Sequence, residues 1–311
     1  AAMYLEHFGL QTQPFGITPD TGFYFDSPSH QEAINVLLVA LRSGAGFLKV
    51  TGEVGTGKTL LCRRLLNLLD AEFVTAYIPN PFLTPAALRM ALAEELGIQC
   101  ARNIGQHRLL KLITDKLIEL NATGKRVVLL LDEAQALPDD SLEALRLLTN
   151  LETEKDKLLL VVLFGQPELD ERLSQARFRQ LRQRILFAHK LRPLTDAECN
   201  AYVQHRLAIA GGGGRNLFDA GAIRQLTRAS RGIPRLLNIL AHKALMAAFG
   251  QGLAQVGRRQ LQLAVADTEG ATPVRGWQLT RWPRAFAWKL GAVGTAATLA
   301  GVSLLLLGPH A

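Results

Sequence analysis

A glycine-rich segment of eight residues constrains the fold of this chain more than any other feature. It reads GEVGTGKT from Gly52 to Thr59, after a short apolar run at Phe47–Thr51 and before a leucine-rich segment with helical character. A strand, a turn of this kind and a helix in succession form a loop whose backbone N–H groups curl around phosphate oxygens. Lys58 is expected to reach the β- and γ-phosphates, and the Thr59 hydroxyl is expected to bind Mg²⁺. The sequence therefore predicts an ATP-binding loop made of Gly52, Glu53, Val54, Gly55, Thr56, Gly57, Lys58 and Thr59.

Two carboxylates follow a second apolar strand. Val127–Leu131 is uninterrupted by polar residues and leads directly into Asp132 and Glu133. In open α/β sheets, ligands bind at the carboxyl ends of the strands, so both side chains should lie beside the glycine-rich loop. Asp132 is expected to hold Mg²⁺ through water, and Glu133 is expected to orient and polarise an attacking water. The two motifs together predict hydrolysis of ATP.

The order of apolar and helical segments predicts the fold class. Uninterrupted apolar runs at 127–131 and 158–164 are typical of strands, residues 73–78 also have the character of a strand, and helical patterns lie between them. Strands without polar alternation belong to parallel sheets that are covered on both faces. Residues 193–267 show helical patterns alone, which begin with a capping-box pattern at 195–198. We therefore expect an α/β fold with a P-loop core, built as a parallel sheet between helices, and a C-terminal helical lid.

The same patterns divide the chain into four predicted parts. The nucleotide-binding core is residues 1–192, the helical lid 193–268, a basic linker 269–288 and a transmembrane helix 289–308. The first 28 residues of the core look loop-like, because prolines and scattered aromatic residues interrupt any period. The first helix is expected to begin near Ser29, which has the sequence pattern of a helix cap.

Composition limits the partners and metals that the chain can be expected to use. Hydrophobic residues make up 48% and charged residues 20%, and the net charge is +8, so the chain is globular and its partners are expected to be anionic. The positive charge is spread along the chain, which does not favour a nucleic-acid interface. The three cysteines are scattered and the seven histidines lack metal-ligand spacing, so Mg²⁺ is the only metal expected.

An uncharged segment near the C-terminus predicts a membrane span. Leu290–Leu307 contains no charged residue over 18 positions, and such a helix is about 27 Å long, close to the roughly 30 Å hydrocarbon core of a bilayer. Trp282 and Trp288 precede it like an interfacial belt, and the nearby basic residues all lie on its N-terminal side. The positive-inside rule then places the ATP-binding part in the cytoplasm. The alternative is a soluble helix that packs against the lid.

Several short segments give the chain a specific resemblance. Besides the two motifs above, they are the opening Met3–Asp20, then Asp132–Gln135, Phe164–Leu169 and Gly232–Arg235. With these segments the chain resembles AAA+ ATPases of the secretion-type group called ExeA or GspA. Within that group it is most similar to the ATPases of MSHA type IV pilus biogenesis. The resemblance covers roughly residues 3–268 and implies a P-loop AAA+ core with a helical lid.

The resemblance also implies roles for further residues. Gln166 stands where such ATPases place sensor 1, a polar contact to the γ-phosphate or to water; its alternative is a local turn contact. Arg235 stands where they place sensor 2, which reaches from the lid to the phosphates; its alternative is a surface arginine. Arg184 is the expected trans-acting finger for a neighbouring subunit, with Arg182 as the alternative. Phe15 is expected either to pack on adenine or to belong to the aromatic core.

The functional expectation combines the motifs with the resemblance. It is an ATPase anchored by a single span in a bacterial inner membrane, with its ATPase domain in the cytoplasm, energising assembly of an MSHA-like type IV pilus or a type II secretion machine. The expected partners are copies of itself in a ring or partial ring, membrane proteins of that assembly and the inner membrane, whereas nucleic acid is not expected. Two alternatives remain: a DNA-associated AAA+ ATPase of the transposition-regulator type, and a nucleotide-gated scaffold with slow turnover.

Overall fold

The computed structural model describes residues 2–101, 103–153 and 156–272. In this part of the chain, five parallel strands form one sheet in the order β2-β3-β4-β1-β5. The strands are β1 Phe47–Thr51, β2 Phe73–Ile78, β3 Arg126–Leu131, β4 Leu159–Gly165 and β5 Ile185–Lys190. The prediction of a parallel α/β sheet is confirmed.

Helices connect the strands and then continue alone beyond the last one. Those before β5 are α1 Ala2–Phe8, α2 Pro28–Arg42, α3 Lys58–Leu68, α4 Pro85–Glu95, α5 Gln106–Ala122, α6 Asp139–Leu148, α7 Pro167–Ser174 and α8 Arg179–Arg184. Those after it are α9 Asp196–Ile209, α10 Ala220–Ser230, α11 Pro234–Gly250 and α12 Arg258–Ala266.

The central strands are buried on both faces, which explains their continuous apolar sequence. In β3, Val127, Leu129 and Leu131 pack into a core with α4, α5 and α6. The alternate residues Val128 and Leu130 pack into a second core with α2 and α3 on the opposite face. Because successive side chains of a strand point to opposite faces, an uninterrupted apolar run fills both cores and produces three layers.

The register of the strands determines where the functional loops lie. Thr51 at the end of β1 is opposite Gly165 at the end of β4, and Leu131 at the end of β3 is opposite Leu163. The segments that follow these strands therefore leave the sheet at the same edge. They are the glycine-rich loop, the pair of carboxylates and Gln166.

A separate hydrophobic cluster holds the C-terminal helices together. It contains buried side chains from α9 to α12, such as Val203, Leu226, Leu240 and Leu261. The predicted capping box is present at 195–198, with both reciprocal hydrogen bonds formed at the start of α9. The finer division of the chain at residue 193 stays a prediction.

The N-terminal segment differs from the loop-like prediction. Helix α1 forms at residues 2–8, and Tyr4, Phe8 and Phe15 are buried in the same cluster as α9–α12. The Phe15 ring meets the Phe218 ring edge-on at 6.0 Å, so of its two alternatives the structure shows aromatic packing. A seven-residue helix contains only two turns, so its sequence is too short to show a hydrophobic period of 3.6 residues.

The start of the first long helix also differs from the prediction. Helix α2 begins at Pro28, and the Ser27 hydroxyl caps it by accepting the His30 backbone N–H at 3.3 Å. Proline is favoured at the first helical position because its missing N–H would be unpaired there. The predicted cap at Ser29 is therefore wrong by two residues, because the observed cap is Ser27.

The predicted linker and transmembrane helix lie almost wholly outside the described residues. Leu290–Leu307 is one of the segments that the structure does not describe. Among the residues that it does describe, no helix combines the length and the apolar character that a membrane span requires.

We expect Leu129→Ala to lower the free energy of unfolding by about 2–5 kcal/mol, because the packed core cannot refill the cavity that it leaves. Leu129 lies in the middle of β3 with no exposed surface. Ile118→Ala on α5 is the matched control, since Ile118 is 47% exposed, and it should change the same quantity by about 0.5 kcal/mol or less. Urea unfolding monitored by circular dichroism measures both, and equal losses would contradict the burial of Leu129.

Candidate functional site

The glycine-rich loop turns tightly between β1 and α3. Gly55 and Gly57 have φ values of +85° and +96°, which side chains other than glycine rarely adopt. A Cβ atom on Gly57 would also lie 2.9 Å from the His30 ring. Helix α3 begins directly after this turn, at Lys58. The loop therefore ends at a helix N-terminus, where unpaired N–H groups and the helix dipole favour an anion.

The amino group of Lys58 lies inside this loop. Its Nζ donates to the carbonyl oxygens of Gly52 at 2.7 Å and Glu53 at 2.9 Å. Burial lowers the pKa of Lys58, and the nearby carboxylates of Glu133 and Asp132 act in the opposite direction. Neutral carbonyl groups do not balance the charge of an ammonium group, so an anionic phosphate oxygen would be a stronger partner for Lys58.

Asp132 and Thr59 form the oxygen-rich part of the site. Asp132 is only 2% exposed, its carboxylate accepts the Glu133 backbone N–H at 2.9 Å, and the Thr59 hydroxyl is close enough to influence its pKa. Burial raises the pKa of Asp132, whereas the Thr59 hydroxyl, the Glu133 backbone N–H and the charge of Lys58 lower it. A carboxylate beside a hydroxyl is a donor set that suits Mg²⁺, so these residues fit the metal that the sequence predicts.

Glu133 occupies an unusual backbone conformation next to this pair. Its φ is +51°, in the left-handed region that non-glycine residues seldom adopt. The carboxylate oxygen Oε2 accepts from Gln166 Nε2 at 3.1 Å and from Gln135 Nε2 at 2.5 Å. The structure thus brings Gln166 and Glu133 together, although 33 residues separate them in sequence.

Two residues that support Glu133 and Gln166 were missed from the sequence. The Gln135 side chain bridges Glu133 and the backbone N–H of Gln166, and Arg172 on α7 donates to the Gln135 carbonyl at 2.7 Å. The position of Gln135 two residues after a predicted catalytic carboxylate was a usable signal. Arg172 had none, because its contacts depend on how α7 returns to the loop after β3.

Arg235 reaches the glycine-rich loop from the start of α11. Its backbone N–H donates to the Gly55 carbonyl at 3.2 Å, and a Cβ on Gly55 would lie 2.5 Å from the Arg235 Cβ. The arginine is exposed, and within the described residues its guanidinium makes no hydrogen bond or ion pair. The structure therefore brings the lid against the loop and leaves this positive charge available.

Arg184 and Arg182 differ in how they are held at the end of α8. Arg182 donates to the Ser174 carbonyl at 2.8 Å, at the C-terminal end of α7. Arg184 is half-buried and makes no hydrogen bond or ion pair with the residues that the structure describes. It leads into β5, an edge strand on which Leu186 is 63% exposed. Within the described residues, Arg184 makes no hydrogen bond to the glycine-rich loop of its own chain.

His30 supports the glycine-rich loop from α2 and was not singled out in the sequence. Its Nε2 lies 3.0 Å from the Thr56 carbonyl, so this nitrogen carries the proton. The ring stacks on Tyr24 with centroids 5.9 Å apart, and burial lowers the pKa of His30. A neutral histidine that donates to the loop fixes its backbone without adding charge.

A cavity of about 650 Å³ lies between residues 13–23, α3 and α9. Arg206 on α9 lines it, and this side chain is only 6% exposed. Its guanidinium lies 4.6 Å from the centre of the Phe23 ring and donates to the Pro14 carbonyl. Arg206 therefore ties the N-terminal segment to the lid, and the cavity has the size of a small-molecule pocket.

Comparisons with known proteins agree with this geometry. A family model described as an AAA domain matches residues 41–173, which contain the glycine-rich loop, both carboxylates and Gln166. General secretion pathway protein A of Aeromonas hydrophila is 44% identical over 276 residues, which cover 89% of this chain and 50% of that protein. The chain thus spans half the length of this curated relative.

Solved structures share the fold at low identity. Cdc6p from Pyrobaculum aerophilum has a TM-score of 0.61 and 19% identity, over 79% of this chain and 70% of that one. A chain of the Drosophila ORC bound to DNA has a TM-score of 0.62 and 19% identity, over 85% of this chain and 65% of that one. At this identity the likeness shows the fold alone. The matched AAA domain at residues 41–173 and the related secretion protein together support an ATPase.

Proposed function

We propose that this protein is an ATPase that is anchored in a bacterial inner membrane and energises assembly of an MSHA-like type IV pilus or of a type II secretion machine. The observation that carries the proposal is the 44% identity to general secretion pathway protein A over 276 residues. The proposed partners are further copies of the chain, in a ring or partial ring, and membrane proteins of that assembly.

ATP would supply the phosphoryl group, and Mg²⁺ would neutralise part of the phosphate charge. On binding, Lys58 would exchange its two carbonyl partners for phosphate oxygens, and the backbone N–H groups before α3 would bind the same anion. The Thr59 hydroxyl would bind Mg²⁺ directly, and Asp132 would hold the ion through water. Glu133 orients and polarises the attacking water, and Gln166 restrains the Glu133 carboxylate by the bond described above.

A second candidate function is ATPase activity coupled to DNA. The observation that favours it is the fold shared with the Drosophila ORC, which was solved bound to DNA. The spread of basic residues along the sequence does not favour a nucleic-acid interface, and the proposed membrane segment argues against this candidate. Measuring ATP turnover with added duplex DNA, with inner-membrane vesicles and with neither separates the two. Stimulation by DNA alone would favour the second candidate, and a slow rate in all three would favour a nucleotide-gated scaffold.

The assignments of Lys58 and Glu133 predict different defects. Lys58→Ala should abolish tight ATP binding, because Lys58 contacts the phosphates in the ground state. Glu133→Gln should bind ATP as the wild type does and stall hydrolysis, because the carboxylate acts only on the attacking water. Equilibrium binding of a fluorescent ATP analogue and phosphate release measure the two properties. An equal loss of affinity in both variants would contradict these roles.

Membrane anchoring is proposed from Leu290–Leu307. Deleting this segment should leave ATP binding unchanged and move the protein from the membrane fraction to the soluble fraction, because the deletion removes the only proposed apolar span. Fractionation of cells followed by immunoblotting measures the distribution. If the chain that retains Leu290–Leu307 is already soluble without detergent, the segment is no anchor.

The arginine finger predicts that hydrolysis needs a neighbouring subunit. Arg184→Ala should keep ATP binding and lose activity by about 10³-fold or more, since a finger stabilises charge that develops only in the transition state. Arg179→Ala on the same helix is the control, because Arg179 is exposed and no role is proposed for it. Specific activity of the wild type should also rise with protein concentration.

Mixing variants tests whether Arg184 acts in trans. Subunits with Arg184→Ala retain Glu133, so a neighbour that carries Glu133→Gln can supply the missing arginine and restore part of the turnover. Assembly of the mixture is shown independently by size-exclusion chromatography. If mixed assemblies form and no ratio restores activity, Arg184 is not the finger, and Arg182 becomes the residue to test.

A further inference from the structure

The carboxylate of Glu133 is held by more than one neighbour. Gln135 Nε2 donates to Glu133 Oε2 at 2.5 Å, and Gln166 Nε2 donates to the same oxygen at 3.1 Å. Both donors are amides, so neither takes the proton that a catalytic carboxylate must handle. With Oε2 engaged twice, the second oxygen of Glu133 is left for a water molecule.

The side chain of Gln135 also connects two strand ends. Its Oε1 accepts the backbone N–H of Gln166 at 3.0 Å. Glu133 follows the end of β3 and Gln166 follows the end of β4. One amide group therefore uses its donor on the carboxylate and its acceptor on the adjacent strand end, which fixes the orientation of the amide plane.

The backbone below Gln135 is anchored as well. The Arg172 guanidinium donates to the carbonyls of Gln135 and Leu137, both at 2.7 Å, and pairs with Asp139. This fixes the short 3₁₀ turn at 134–136 from which the Gln135 side chain extends. The backbone of Gln135 is thus restrained by Arg172, and both polar atoms of its side-chain amide are hydrogen-bonded.

Such restraint is needed because of the conformation of Glu133. Its left-handed φ of +51° is intrinsically unfavourable and persists only where the surroundings impose it. A general base is effective only if it is held close to the productive geometry, and a displacement of about 1 Å can cost on the order of 10²-fold in rate. The half-buried amide of Gln135 supplies this restraint from within the chain.

We propose that Gln135 is a positioning residue for hydrolysis, which acts by holding Glu133 through its amide N–H. The inference rests on the proposed role of Glu133 as the residue that orients water. It assigns to Gln135 no contact with the nucleotide. Loss of the amide donor should therefore reduce kcat and leave ATP affinity unchanged.

A series of substitutions separates the donor of Gln135 from its acceptor. Gln135→Glu keeps the length and an acceptor for the Gln166 N–H but loses the donor to Glu133. Gln135→Met keeps the length and loses both groups, and Gln135→Asn keeps both groups on a shorter side chain. We expect the first two variants to lower kcat by about 10- to 100-fold and to bind ATP within about twofold of the wild type. Gln135→Asn should lie between them and the wild type.

Two controls distinguish positioning from a structural role. Gln262→Met on α12 makes a similar change at a half-buried glutamine that has no hydrogen bond in the described residues, and it should leave kcat unchanged. Combining Gln135→Met with Glu133→Gln should give the same residual rate as Glu133→Gln alone, because a residue that acts through Glu133 has nothing left to position. Thermal unfolding is recorded for every variant.

The outcomes are separable from those of the proposed function. If the wild type hydrolyses ATP, Glu133→Gln does not, and Gln135→Glu retains the wild-type rate, the positioning role is overturned and the role of Glu133 stands. Parallel losses of ATP affinity and kcat in the Gln135 series would also overturn it, in favour of a structural role. If Glu133→Gln hydrolyses ATP at the wild-type rate, the proposed role of Glu133 itself fails.

Discussion

Five strands pair in parallel, and their register places the functional loops. The register that aligns Thr51 with Gly165, and Leu131 with Leu163, makes three strands end at one edge of the sheet. Each strand is then followed by a residue with a chemical role in the proposed reaction. Because both faces of the sheet are covered by helices, the strands cannot slip without exposing a core. Burial of the apolar side chains therefore fixes the strand register, and the register fixes the positions of the site residues relative to one another.

The second constraint is the close approach of the lid to the glycine-rich loop. The backbone N–H of Arg235 bonds to the Gly55 carbonyl, and a side chain at Gly55 would clash with Arg235. Nearby, Gly232 has φ +72° and approaches the Leu194 carbonyl so closely that a Cβ would lie 2.1 Å from it. Gly55 thus allows the loop to approach α11, and Gly232 allows the turn before α11 to approach Leu194. A change in the loop conformation on nucleotide binding would therefore displace the start of α11 directly.

The sequence predicts the sheet and most of the site because both depend on local patterns. Apolar runs identify the strands, and each strand end supplies the residue that follows it. The contact between Gln135 and Glu133 is different, because it depends on a left-handed backbone conformation at Glu133. A glutamate at this position does not predict that conformation. The anchoring of that turn by Arg172, from 37 residues further along the chain, and the burial of Tyr4 and Phe8 among the lid helices are likewise products of tertiary packing. Sequence patterns of a few residues do not predict such long-range contacts.

The charged groups of the site differ in whether they are already partnered, and this difference bears on how hydrolysis is coupled to assembly. Lys58 and Glu133 each have two hydrogen-bond partners within the chain. Arg235 and Arg184 have no hydrogen bond or ion pair to any residue that the structure describes. An unpaired guanidinium keeps its five donors for an anion, whereas a paired one would first have to break existing bonds. The two unpaired arginines lie on the lid and beside the edge strand β5, not in the centre of the sheet. In the proposed ring, lid position and neighbour docking then decide whether these charges reach the phosphates, so a rigid sheet can support a reaction that responds to assembly.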